Sequence, residues 1–400
     1  VEGSLSLPFF FGLTDSHRLA IFGFLTVRQA VAMKEKFPIS IKTMQGFEDL
    51  LAEELRVLGV DNIQRGRRIV HCEGDWKTVY KCNLELRTAL RVLLPLSKGT
   101  VNKAQDLYDL AAATDWSPFL EPGGTLMIDT QVRSKVFNDT RFAALKVKDA
   151  IVDSYREKYG RRPTIEFKNP QLRVYVYLND TECEISVDSS GNSLHKRGYR
   201  TQTNAAPLNE VLAAGMILRS GWDHQKDFIN PMCGSGTLLV EAGMMAANIS
   251  PGRFRDNFGF QQWENFRSVW WRQIKEAARE RERDIPARML GFDVNKTAMQ
   301  MSGNHLRMAG VGSKVELQQI AMEDYDPKIA EGATVIINPP YSFRMGKDDI
   351  MEFYKMIGDN LKTKYQGCSA WIISANLEAL KNLGLKPTQR EVLFNGPLEA

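Results

Sequence analysis

The sequence lacks any long apolar run. Its two apolar N-terminal stretches, 5–11 and 19–27, fall well short of the ~18 residues a membrane-spanning helix needs. The order of features there also does not fit a secretory signal, which wants a basic start and one apolar core before a small-residue cleavage site. Cysteine is scarce. The five present (Cys72, Cys82, Cys183, Cys233 and Cys368) are an odd number, widely spaced, with no Cys-x-x-Cys pair. That argues against a disulfide framework and against a zinc or other metal site, and for reduced cytosolic thiols. There is no internal repeat and no low-complexity tract. Nor is there a large charge of one sign: 52 Lys plus Arg against 48 Asp plus Glu leave +4. That mild excess is compatible with a polyanionic partner without requiring one. What is present, 43% hydrophobic and 25% charged over 400 residues, excludes a wholly disordered chain and is enough for two or three domains.

Residues 1–32 differ in pattern from the rest of the chain. It opens on Val1, and globular patterning begins at Met33. We expect translation to start at Met33, leaving 1–32 an unassigned extension that is not native; a short apolar arm packed on the domain is the alternative. Residues 33–75 read as a small α/β unit with a helix over 47–58, stopped by Gly59. Residues 76–190 form a second block. Its expected elements are a helix carrying Leu84, Leu86, Leu90 and Leu94, a strand over 125–131, and a helix over 142–159. A hairpin of strands 172–178 and 183–187 completes it. Arg133, Lys135, Arg141 and Lys146 punctuate this block. Singly each reads as a solvated helix face; together, beside a sheet, they suit RNA phosphates. Arg197 and Arg200, in the basic linker His195–Arg200, are expected to join that surface.

From 191 to 400 strands and helices alternate, which predicts a parallel, doubly wound sheet. Strands are expected over 226–229, 288–292, 315–320, 334–337 and 369–374. A long insertion, 248–286, is rich in aromatic residues, most of which we read as packing.

After the first of these strands comes Asn230-Pro231-Met232-Cys233-Gly234-Ser235-Gly236-Thr237. A strand, a glycine turn and a helix start in this order build the ligand crevice of an open α/β sheet. Leu239 stands where a dinucleotide fingerprint would need glycine, and no Gly-Lys-Ser/Thr comes after it. A carboxylate is then the natural guest, as in the methionine half of S-adenosylmethionine. Asp293, ending the second strand, suits ribose hydroxyls or the N-cap of the next helix. Asp324, beyond the third, suits an adenine amino group or a solvated loop. The fourth strand ends in Asn338-Pro339-Pro340-Tyr341. Two prolines stop the strand and stiffen the loop. Stiffness holds the Asn338 amide oxygen and the Pro339 carbonyl as acceptors for a nucleobase amino group, with Tyr341 as a stacking face. The amine can attack an electrophilic methyl first and lose its proton afterwards, so no strong base is needed.

These residues resemble the amino-methyltransferases, and the chain from about Phe37 is similar to the bacterial THUMP-domain RNA methyltransferases. The likeness is nearest to those that methylate the 2-amino group of guanine in 23S ribosomal RNA, often labelled as adenine-specific DNA methylases. It is carried by His195–Arg200 with Ala206-Pro207-Leu208, by Pro231–Thr237, and by Asn338–Tyr341. The resemblance implies an α/β fold: a ferredoxin-like region over 33–75, an RNA-gripping THUMP domain over 76–190, and a Rossmann-like methyltransferase over 191–400, whose last strand, usual in a methyltransferase sheet, is expected to be missing from this chain. It implies S-adenosylmethionine as cofactor and ribosomal RNA as partner. Asn230, Pro231, Cys233, Gly234, Ser235, Gly236, Asp293, Asp324 and Pro207 would face the cofactor, and Asn338, Pro339, Pro340 and Tyr341 the guanine. Two departures stand out. Asn230 occupies a position where the family usually has Asp, and Ser342-Phe343-Arg344-Met345-Gly346 differs from its common Gly-Glu-Arg-Leu form. Two other functions compete: methylation of the adenine 6-amino group in DNA, and a non-catalytic RNA-binding factor in ribosome assembly.

Overall fold

The computed structural model describes residues 36–135, 137, 139–200, 207–340, 347–395 and 398–399. Residues 1–32, expected to be a non-native extension, and Tyr341, expected to stack on the base, lie outside the described residues. Two sheets organise the rest. The first has eight strands in the order β2-β3-β1-β4-β8-β7-β5-β6. They are β1 (Phe37–Thr43), β2 (Asp61–Gly66), β3 (Ile69–Gly74), β4 (Ala89–Thr100), β5 (Thr125–Arg133), β6 (Thr164–Ile165), β7 (Leu172–Asn179) and β8 (Glu182–Asp188). Helices α1 (Glu48–Val57), α2 (Trp76–Glu85), α3 (Ala104–Ala112) and α4 (Thr140–Tyr159) accompany them. Local signals set their ends. Asp75 caps α2 in a reciprocal box with Thr78, Asp139 accepts from Arg141 N at the start of α4, and left-handed Gly160 (φ 64°) stops α4.

The leucine spacing misleads between 84 and 94. Leu90 and Leu94 lie on β4, not on a helix, because α2 ends at Glu85. The chain is drawn out of the helix by Glu54 of α1, whose carboxylate accepts from the amides of Arg87 (2.6 Å) and Thr88 (3.0 Å). Val92 and Leu94 then join the core on one face of the strand, while Leu93 between them is buried on the other. A bulge between Pro95 and Ser97 absorbs the proline. β4 pairs with β1 through one half and with β8 through the other, so a single sheet runs unbroken across residues 75 and 76.

The second sheet is wholly parallel: β9 (Phe228–Pro231), β10 (Met289–Phe292), β11 (Val315–Gln318), β12 (Thr334–Ile337) and β13 (Ser369–Ile372), in the order β11-β10-β9-β12-β13. β9, β10 and β12 are buried along their whole length, as a strand covered on both faces must be. Around the sheet stand α5 (Glu210–Arg219), α6 (Thr237–Ala246), α8 (Lys296–Met308), α9 (Lys347–Lys364) and α10 (Leu377–Leu380), whereas α7 (Ser268–Glu280), between α6 and β10, packs on α2 beneath the first sheet. A small separate hairpin, β14 (Phe394–Asn395) with β15 (Leu398–Glu399), comes last.

The aromatic insertion joins the two halves. Phe260 stacks on Tyr80 of α2 at 4.5 Å between ring centres, and Trp263 meets Phe119 edge-on at 4.9 Å. Its aromatics complete the core beneath the first sheet. No helix among the described residues is long and apolar enough to cross a membrane.

Candidate active site

The strand order places β9 at the centre of the second sheet. From it the chain winds outward through β10 and β11, then crosses to β12 and β13 on the other side. The reversal lies between β9 and β12, and in an open α/β sheet a ligand crevice opens at the C-terminal ends of the strands there. The glycine loop leaves β9 and the Asn-Pro-Pro corner leaves β12, so these two predicted segments emerge side by side. The strands pair in register at Phe228 with Thr334 and Ile229 with Val335.

The loop turns tightly through three left-handed residues: Met232 (φ 54°), Gly234 (φ 56°) and Gly236 (φ 77°). Cys233 N donates to Phe292 O at the end of β10 (3.1 Å), and Gly236 N to Cys233 O (2.9 Å). The two glycines differ in what they allow. A Cβ at Gly236 would sit 2.2 Å from Ser302 Oγ on α8, whereas one at Gly234 would meet nothing within 4 Å. Gly236 thus lets α8 pack close, and Gly234 leaves open space for a guest. Gly236 is also the residue before α6, whose start has no side-chain cap and whose ten residues are all buried. From α8, His305 Nδ1 lies 2.9 Å from Ser235 O, which makes that nitrogen the protonated donor. Ser302 and His305 support the loop from about 70 residues away in sequence, and no local pattern pointed to them.

Asp293 comes directly after β10. Its Oδ2 accepts from Gly234 N (3.0 Å) and its Oδ1 from Asn295 N (2.8 Å). The helix cap is Asn295, which accepts from Ala298 N, so of the two expected roles the N-cap is excluded for Asp293. The carboxylate keeps further lone pairs for a guest. Asp324 is exposed on the turn after β11, where its main-chain amide donates to Ala321 O; no described hydrogen bond joins it to the loop. Pro207 is half-buried just before α5. Arg200 pins this segment to the start of α6, donating to Leu208 O (3.3 Å) and Thr237 Oγ1 (2.9 Å). Asn230 is buried on β9. Its Nδ2 donates to Ile336 O (2.7 Å) and Pro231 O (3.3 Å), while its buried Oδ1 has no partner. Beyond β12, Asn338 is half-buried, Pro339 buried and Pro340 exposed. Burial, with the Asp293 charge as the second cause, pushes the Cys233 thiol well above its usual range, so it stands in the crevice as a neutral group. No metal-binding cluster exists among the described residues.

Two of the expected RNA-facing residues are corrected. Arg197 is 2% exposed and pairs with fully buried Glu241 at 3.4 Å while donating to Leu194 O and Arg87 O. Arg200 is half-buried and pairs with buried Glu210 at 2.9 Å. Both guanidiniums are engaged inside the protein because each faces a carboxylate that burial would otherwise leave unpaired. Arg133, Lys135 and Arg141 are exposed around the end of β5 and the start of α4. Lys146 is half-buried, its ammonium 5.8 Å from the centre of the Phe142 ring.

Three family models match the chain. An RMKL-like methyltransferase domain covers residues 197–400, a THUMP domain 101–188, and an RlmL ferredoxin-like domain 39–93. A Synechocystis protein provisionally named an RNA methyltransferase is 35% identical over 363 residues, covering 90% of this chain and 94% of that protein. The ribosomal RNA large subunit methyltransferase K/L of Pseudomonas aeruginosa is 36% identical over 377 residues, or 92% of this chain and 52% of the relative. The chain therefore spans about half the length of the K/L relatives it matches. Among solved structures, SMU.472, provisionally described as a methyltransferase and complexed with SAH, superposes with a TM-score of 0.82 at 27% identity over 92% of this chain and 97% of that one. A Listeria monocytogenes protein provisionally described as an N6-adenine-specific DNA methylase gives 0.82 at 26% identity over 90% and 94%.

Proposed function

The chain belongs to the RMKL-like methyltransferase family, and from that premise we propose that it methylates the 2-amino group of a guanine in 23S ribosomal RNA. S-adenosylmethionine, whose demethylated product is the SAH named for the solved relative, would supply an electrophilic methyl on sulfur. The residues of the crevice fit such a guest. Asn230 Oδ1 is a buried acceptor without a partner, and the Cβ position of Gly234 is open. Asp293, joined to Gly234, would accept from the ribose hydroxyls. Arg200 and Leu208 would hold Pro207 over the start of α6.

One observation carries the reading: two paired strands deliver the glycine loop and the Asn-Pro-Pro corner to the same side of the switch point. The Asn338 amide oxygen and the Pro339 carbonyl would accept hydrogen bonds from the base amino group and turn its lone pair toward the methyl. A nitrogen–carbon bond then forms as the sulfur–carbon bond breaks, and the nitrogen loses its proton to water. Positioning and polarisation supply the rate, without a general base.

The K/L names and the THUMP match favour RNA over DNA adenine, although the same corner would serve either amine. Nucleoside mass spectrometry of ribosomal RNA from cells with and without the gene tests the proposal, with loss of one 2-methylguanosine expected. Loss of 6-methyladenine from DNA instead would overturn it. Titration calorimetry with S-adenosylmethionine separates the enzyme from a non-catalytic assembly factor, for which no heat is expected.

A further inference from the structure

A cluster of cations on the first sheet has no part in the methyl-transfer site. Lys42 stands on β1 in register with Arg91 of β4. The Arg91 charge is answered by Asp188 and, at 3.8 Å, by Asp129. Lys42 has no acid within ion-pair distance among the described residues. Its ammonium donates to two neutral oxygens, Gln131 Oε1 at 3.0 Å and the Tyr175 hydroxyl, and lies 4.1 Å from the centre of the Tyr175 ring. Burial, with Arg91 and Arg68 close by, lowers it to about 8.

The contact with Gln131 also describes the shape of the sheet. β1 and β5 are four strand spacings apart, about 19 Å in a flat sheet, farther than a lysine and a glutamine can close. The sheet is therefore curled, and the face carrying Lys42 is its concave side. A trough bridged by two side chains has no room for a nucleic-acid duplex, but a single strand can cross its mouth.

At that mouth is the β2–β3 turn. Gly66 pairs with Ile69, leaving Arg67 and Arg68 as the two turn residues. Arg68 has φ 61°, a left-handed conformation that glycine or asparagine adopts with least strain. Both arginines are exposed, and neither forms an ion pair among the described residues. The neighbouring acid, Glu48, accepts from the main-chain amides of Arg68 (2.8 Å) and Gly46 (2.9 Å). Arg68 O accepts from Thr43 N (3.1 Å), which fixes the tip next to Lys42. Across the trough, Gln131 shares its face of β5 with exposed Arg133, two residues on.

We propose that Arg67, Arg68 and Lys42 form a phosphate-binding site for a single-stranded segment of the RNA substrate, reaching across the trough toward Arg133. The inference rests on the proposal that the substrate is RNA and adds where the strand runs. Exposed guanidiniums give charge and paired N–H donors, and the half-buried Lys42 ammonium, whose hydrogen-bond acceptors are neutral while the nearby Asp129 and Asp188 pair with Arg91, adds a third cation.

The test is fluorescence anisotropy of the full chain with labelled single-stranded fragments of 23S ribosomal RNA, transcribed in vitro, over a salt series. Arg67→Gln with Arg68→Gly relaxes the turn, and Lys42→Met removes a desolvated charge, so neither variant should melt earlier than wild type. The double variant is expected to bind about tenfold more weakly, with the log–log salt slope reduced by about 1.4, roughly 0.7 per lost phosphate contact. Lys42→Met should bind more weakly in the same direction. Wild-type binding that both variants retain in full would overturn this site while leaving the RNA reading intact. A wild type that binds no RNA would overturn both. An equal loss on duplex DNA of the same sequence would overturn the assignment to single-stranded RNA.

Discussion

Asn230 and Ile336 are joined across the switch point: the side-chain amide donates to the main-chain carbonyl at 2.7 Å, one residue beyond the last paired positions of β9 and β12. The strands are parting there to open the crevice, and a side chain takes over where the ladder ends. The bridge needs a side chain that carries a hydrogen, because an ionised carboxylate at 230 would set one acceptor against another, the Ile336 carbonyl oxygen. The same amide then directs its unpartnered oxygen elsewhere in the buried site.

Asn230→Asp is accordingly expected to destabilise the fold by about 1–3 kcal/mol at pH 7, the cost of opposing two acceptors in a buried place. Urea denaturation measures it. Asn230→Ala should cost about as much while also weakening cofactor binding. A variant with unaltered stability and unaltered affinity would show that the bridge carries nothing.

The corner and the acid should separate in kinetics. Asn338→Ala is expected to lower turnover by about 2–4 kcal/mol of barrier with cofactor affinity held, since its oxygen would act on the base amine. Asp293→Ala should chiefly weaken cofactor affinity, because it also frees the Gly234 amide that shapes the loop. Single-turnover rates and calorimetric affinities distinguish the two.

Arg197 should behave as a structural residue. Arg197→Met strands Glu241, which is fully buried, and is expected to cost about 3–5 kcal/mol. Adding Glu241→Leu should restore much of the loss. The salt dependence of RNA binding by the folded fraction should not move, whereas an RNA-contacting arginine would lower its slope.

His195 gives a pH signature. Burial, then the charges of Arg197, Lys196, Arg255 and Arg91, lower its imidazole to about 4, and its ring nitrogen lies 2.9 Å from Ser193 Oγ. The unfolded chain takes up this proton near pH 6.5, the folded chain only near 4. Stability from this residue is therefore complete above about 6.5 and is lost as pH falls toward 4, by about 3 kcal/mol. Urea midpoints at about pH 7 and about pH 4.5 should differ less in His195→Asn than in the native chain.

Much of this protein is written in short-range pattern. The alternating strands and helices after residue 191, the glycine turn, and the prolines that stop β12 are local properties, decided by φ preferences and by hydrophobic period over a few residues. They were enough to read a doubly wound sheet and to name the two loops. Local pattern failed where a distant group intervened. Glu54 pulls residues 87 and 88 out of a helix that the leucine spacing alone would continue. Glu241 and Glu210 turn two linker arginines inward. A side chain's periodicity says that it is polar, not whether an opposite charge waits for it across the fold.

What only the tertiary structure decided is adjacency. The strand order brings residues 230–236 beside 336–340, and the curl of the first sheet brings Lys42 to Gln131. Neither separation is encoded in the residues between, because both depend on which strands pair and how far the sheet twists. Residue type determined what each group can do chemically. The pairing of strands determined which groups can act together.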